Sequence, residues 1–391
     1  MITSFVAPFR LVSGYFIVGF LFLVLSIFSY FLADFNAITA LPTAGFLHIF
    51  LVGFVVSIII GALYQLTSVI LEKEFYITKF AMINLVIYAF GVFVFAFGLL
   101  KQSVGMMHGG GTILFVSLVY FCTTYLLSFK SSMVRNFAYY ALFIAGIFLL
   151  IGILLGYALL FVLVGALNLD FMLLLNYHIY FVLGFIYFIL LGSTSVLMPM
   201  FSLCGNVSFR LYFISAGLYV CGGAVLGAEY RVSIIWICLS LVGFVAQVGL
   251  MLKKRQRKAW DYWNLNIVAS MIFLLLSILL FILKNEAWII CVIFGFLYAF
   301  IVGHIYKILQ FLVWYHYISP FVGKAKVPLL EDMVMKNIAL FSLIFNVLGV
   351  IFAIIGCSFL AILFMGVSVI LFMINVINIL KFSKFGVSGD R

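Results

Sequence analysis

Residues 48–65 read HIFLVGFVVSIIIGALYQ, with Gly53-Phe54 followed eight positions on by Gly61. The stretch lies in a run from Phe35 to Leu71 that contains no Asp, Glu, Lys or Arg. A bilayer core takes about 20 apolar residues of helix, so this run predicts a membrane-spanning helix with one histidine near its start. The same spacing returns at Gly184-Phe185 with Gly192, in HIYFVLGFIYFILLG from His178, and at Gly295-Phe296 with Gly303, in GFLYAFIVG. Three copies at regular intervals predict an internal repeat rather than chance glycine.

Working outward, the whole 391-residue chain has this character. It is 68% hydrophobic and 8% charged, with 47 Phe and 21 Tyr, and its mean hydropathy is +1.39. Soluble, disordered and coiled-coil classes are excluded, because so apolar a chain needs a lipid phase. Division at charged, Gly-rich and Asn-rich punctuation gives twelve spans, near 11–33, 44–72, 77–100, 110–129, 136–165, 171–200, 208–228, 232–252, 264–283, 287–315, 337–356 and 359–381. The first follows MITSFVAPFR and is longer than the core of a signal peptide. Four spans separate successive repeat glycines, so the chain is expected to be a single polytopic domain (1–391) of three four-helix units, roughly 11–130, 135–253 and 264–391.

The net charge of +11 reports orientation, not nucleic-acid binding. With twelve spans, Arg10, Lys73, Lys79, Lys130, Arg135, Arg210, the run Lys253 to Lys258, Lys307, Lys324, Lys326, Lys336, Lys381, Lys384 and Arg391 fall on one side. Only Lys101, Arg231 and Lys284 fall on the other. The positive-inside rule therefore predicts both termini cytoplasmic, with Arg257 and Asp390 on that face too. The KKRQRK run reads as a topology-fixing loop near anionic lipid.

Intramembrane imidazoles are functional candidates by default. His48 and His178 precede their repeat glycines by five and six residues, which places them at similar depth near the outer ends of spans 2 and 6. His108, in MMHGGG at the outer entrance to span 4, is expected in a loop beside a glycine turn, where Met106 and Met107 would suit copper. His304 follows Gly303 and is expected roughly 15–20 Å deeper than His48 at the rise of an α-helix. His316, among Trp314, Tyr315 and Tyr317, is expected at the inner aromatic belt. The six cysteines have no metal-ligand spacing. No HExxH zinc motif, Walker loop, GxSxG or dinucleotide fingerprint is present. Two classes stay open from the residues alone: a cofactor protein built on these histidines, and a metal or small-solute transporter or respiratory assembly factor whose Gly-marked helices line a pathway.

Twelve spans in three arcs, with histidines early in spans 2 and 6, resemble the haem-copper oxidase subunit I superfamily. HIFLVGF from His48, HIYKILQFLVWYH from His304 and the following SPFVGKAKVPLL are similar to divergent oxidase-like membrane proteins, among them the NnrS family linked to nitric oxide. The resemblance implies a bacterial inner (cytoplasmic) membrane protein carrying b-type haem. In it His48 matches the low-spin haem ligand, His178 the span 6 copper ligand, and His304 is the span 10 candidate. Span 7, SFRLYFISAGLYVCGG, lacks the two adjacent histidines that complete a copper site in that superfamily. The expected role is therefore redox or nitric-oxide/ligand-related, not dioxygen reduction. Haem iron is the expected cofactor with copper as a second option, and a respiratory-chain or assembly protein is the expected partner.

Overall fold

The computed structural model describes residues 7–130, 132–205, 207–256 and 258–385. The inner-face charges expected at Arg257, Asp390 and Arg391 lie outside them. Among the described residues every regular element is helical. Eleven helices are long and apolar enough to cross a membrane: α1 (Phe9–Leu32), α2 (Leu41–Leu71), α3 (Ala81–Leu100), α4 (Val104–Ser128), α5 (Phe137–Leu163), α6 (Phe171–Ser202), α8 (Tyr230–Lys253), α9 (Tyr262–Ile282), α10 (Trp288–Phe321), α11 (Lys336–Ile354) and α12 (Ser358–Lys384). Between α6 and α8, α7 (Arg210–Val225) is apolar but has only 16 residues. Each of the twelve expected spans thus corresponds to a helix.

Helix ends are set by local chemistry. Asn136, Asp170 and Asp261 cap α5, α6 and α9, each accepting from a backbone amide of the first turn. Glu72 and Leu203 end α2 and α6 in left-handed conformation. Pro199 does not stop α6 as its position suggests. It sits in the last turn, and the helix continues to Ser202.

The chain folds as two compact units, Met1–Phe22 with Leu32–Arg257, and Leu23–Phe31 with Lys258–Arg391. In the first, α3 packs on α4, α5 on α6 and α7 on α8. In the second, α11 packs on α12 and α9 on α10. The repeat glycines seat a phenylalanine in the same way each time. A β-carbon on Gly53 would come within 3.0 Å of Phe22, one on Gly184 within 3.0 Å of Phe148, and one on Gly295 within 3.0 Å of Phe273. The second glycines meet side chains six or seven residues earlier on the same partner helices: Phe16 against Gly61, Leu142 against Gly192 and Asn266 against Gly303. Gly-for-aromatic complementarity of this kind lets membrane helices approach closely where no hydrophobic effect drives them together.

Two of these three helices are locally widened. Residues His48–Val56 of α2 and Cys291–Tyr298 of α10 are π-helical, whereas α6 is α-helical throughout. A shorter π turn, Trp314–Ile318, contains His316.

The glycines after His108 also depart from expectation. They do not form a turn, because α4 already begins at Val104 and Gly109–Gly111 are helical. Gly110 serves close packing on α3, since a β-carbon there would meet the backbone of Phe95, as one on Gly98 of α3 would meet the backbone of Met107; one on Gly111 would meet Leu160 of α5. His108 is accordingly a residue of the first turns of α4, not of a loop.

Candidate histidine site

At the end of the first unit shared by the starts of α2, α4 and α6 and the ends of α3 and α5, a small apolar cluster closes the helix bundle. Leu99, Met107 and Leu160 are buried there, with Ala44, Phe95 and Tyr157 packed against them. His48 and His178, both half-buried, belong to this end of the unit: the ring of His48 meets Phe95 of the cluster, and the ring of His178 lies over Gly156, the neighbour of Tyr157.

Each ring is oriented by a backbone carbonyl. His48 Nδ1 donates to Ala44 O, one turn earlier on its own helix, at 2.7 Å. The edge of its ring faces Phe95, with centroids 5.0 Å apart. His178 Nδ1 donates across to Gly152 O of α5 at 2.9 Å. Gly156, one turn further along α5, makes room for that ring, since a β-carbon there would stand 2.6 Å from His178 Cε1. A carbonyl oxygen can only accept, so the proton of each neutral imidazole sits on Nδ1 and the lone pair on Nε2. Metal-bound histidines are held in this way, with the distal nitrogen presented as ligand by a hydrogen bond at the other.

His108 joins the same layer from α4, its ring edge-on to Phe161 at 6.0 Å. Its backbone carbonyl accepts from Thr112 Oγ1, which is 3.1 Å from Tyr157 OH. Tyr157 in turn stacks on Phe115 at 4.3 Å. Met107, expected as a thioether donor, is instead part of the apolar cluster. Among the described residues no three His, Cys, Asp or Glu side chains gather as a metal-binding set. A pair of neutral imidazoles is the axial donor set of a haem iron, which needs no third protein ligand.

His304 belongs to the second unit. It is buried, donates Nδ1 to Phe300 O at 2.9 Å, and lies between Phe300 and Trp263. In α7 the buried polar side chains are Tyr212, Ser215 and Tyr219. Tyr219 OH donates to Tyr180 O and Tyr180 OH to Tyr219 O, at 2.8 and 3.1 Å, and Tyr212 OH pairs with Thr194 Oγ1 at 2.6 Å.

The residues that seat His178 were not singled out in the sequence, although a signal was present. Gly152 and Gly156 are a small-xxx-small pair in α5, the pattern that marks close helix approach. The Thr112–Tyr157 contact had no such signal, being a pairing of two helices 45 residues apart. No protein-family model matches the chain, and no curated protein matches it.

Proposed function

We propose that this is a haem-binding integral membrane protein in which His48 and His178 would hold the iron. The observation that carries the proposal is the pair of half-buried histidines from α2 and α6 at one end of the first unit, each anchored through Nδ1 to a backbone carbonyl. Haem bound there supplies a one-electron iron couple. The chain's own residues orient the rings, wall the site with Phe95 and the Leu99–Met107–Leu160 cluster, and limit access of water, which tunes the potential of such centres. Iron held by both imidazoles would have no open position for dioxygen, which favours electron transfer; response to a small ligand such as nitric oxide would require one of the two histidines to let go.

The proposal includes twelve spans in three four-helix arcs, with cytoplasmic termini, in a bacterial inner membrane. The charge asymmetry of the loops and the repeated phenylalanine seats support it. His304 is then a candidate for a separate site, not the partner of His48.

A reduced-minus-oxidised visible spectrum of the detergent-purified protein, with extractable haem quantified on the same sample, tests this. Sharp α and Soret bands near one haem per chain, lost in His48→Ala and in His178→Ala, are expected. A featureless spectrum from cells with ample haem sinks the reading and favours a metal or solute transporter or an assembly factor.

A further inference from the structure

The π-helical part of α2 starts at His48 itself and ends at Val56. Such widened turns are rare, cluster at functional sites, and disturb the backbone ladder so that carbonyls at their junction need other donors. Two side chains reach carbonyls inside this segment, one from another helix and one by the usual serine bond to the carbonyl four residues back. The hydroxyl of Tyr88, a fully buried residue of α3, donates to Val52 O, and Ser57 Oγ donates to Gly53 O. Ser57 Oγ also reaches Tyr88 OH at 3.5 Å.

The second unit repeats the device with different chemistry. In α10 the residue just before the repeat glycine is Phe294, and its carbonyl accepts from Asn346 Nδ2 of α11 at 2.9 Å. Val52 and Phe294 occupy the same place relative to Gly53 and Gly295, and Tyr88 and Asn346 both come from the helix after the next loop. A phenol and an amide share only their ability to donate a hydrogen bond, so the donor is what the position requires. In α6, which is not widened, no side chain donates to Leu183 O among the described residues. The Tyr219 hydroxyl of α7 goes to Tyr180 O instead.

We propose that Tyr88 is a positioning residue for the histidine site: its bond to Val52 O holds residues 48–56 in the widened turn and so fixes the direction of His48. The ring of His48 is tied to Ala44 O of its own helix, so its direction follows the winding of α2. Returning one residue to ordinary α-helix would rotate the start of the helix against the rest by about 100°, and His48 would leave its place against Phe95. The spectroscopic part of this inference rests on the haem reading, whereas the clamp itself does not.

The test is Tyr88→Phe in the full-length purified protein, read by amide hydrogen exchange and by low-temperature EPR of the oxidised form. Exchange across residues 49–57 should rise at least tenfold, with α6 unchanged, and the low-spin ferric signal should shift in g value or give way to a high-spin one. Asn346→Leu, as the matched control, should raise exchange across 291–298 and leave the His48 signal alone. Unchanged exchange in Tyr88→Phe overturns the clamp whether or not haem is bound. Raised exchange with an unaltered ferric signal overturns the positioning of His48. Wild-type protein without haem sinks the haem reading, and the exchange measurement still decides the clamp.

Discussion

Helices α2 and α6 carry the same elements in the same order, a histidine, a Gly-Phe pair and a second glycine, yet they hold their histidines by different means. In α2 the ring bonds to a carbonyl of its own helix, and that helix is widened and clamped from α3. In α6 the helix is regular, and the ring bonds to a carbonyl of α5 across a contact opened by Gly152 and Gly156. His48 is therefore governed by backbone winding and His178 by the packing of two helices. A site built from one of each responds to two separate kinds of damage.

The largest effects should come from removing either ring. His48→Ala or His178→Ala should weaken haem binding by at least about 100-fold, beyond the usual loss on removing a supporting hydrogen bond, while His304→Ala leaves the signal of the His48–His178 pair intact. Haem titration of membranes from the three variants checks this. Next comes the seat of His178. Gly156→Val places methyl groups where the imidazole now lies, and should cost roughly 10- to 100-fold in affinity, as for lost outer-shell support. The hydrogen exchange of α2 should not change, which separates this damage from that of Tyr88→Phe.

Below these lie changes to the helix pairs themselves. Gly53→Ala and Gly184→Ala each force a methyl group against Phe22 or Phe148, and overpacking of this sort costs about 1–3 kcal/mol. Thermal unfolding in detergent should fall by a similar amount in both, because the phenylalanine seat is common to the two helices. The smallest effect is expected from Tyr219→Phe. It removes the bond from α7 to Tyr180 O, a carbonyl within an unbroken α-helix, so about 0.6 kcal/mol is expected, the average for such bonds between membrane helices.

How much of this was readable in advance depends on the range of the interaction. The helices were legible because hydropathy and charge act along the chain: the span expected at 232–252 is found at Tyr230–Lys253, and that at 171–200 at Phe171–Ser202. His48 and His178 were legible as a pair because both stand at a similar offset from a repeated glycine. The start of α4 was misplaced, because glycines signal turns and close packing equally. Only the tertiary contact of Gly110 with Phe95 selects the second. The widening of α2 could not be read at all. It depends on a hydroxyl from α3 meeting a carbonyl 36 residues earlier, and no local pattern in 48–56 separates it from the regular helix at 178–192.

The central claim is that His48 and His178 bind one haem between them, and EPR of the oxidised wild type beside His178→Ala tests it most directly. The account predicts a low-spin bis-imidazole ferric signal in the wild type that becomes high-spin or disappears in His178→Ala. An unchanged low-spin signal in His178→Ala, lost instead in His304→Ala, would contradict it and give His48 a different partner.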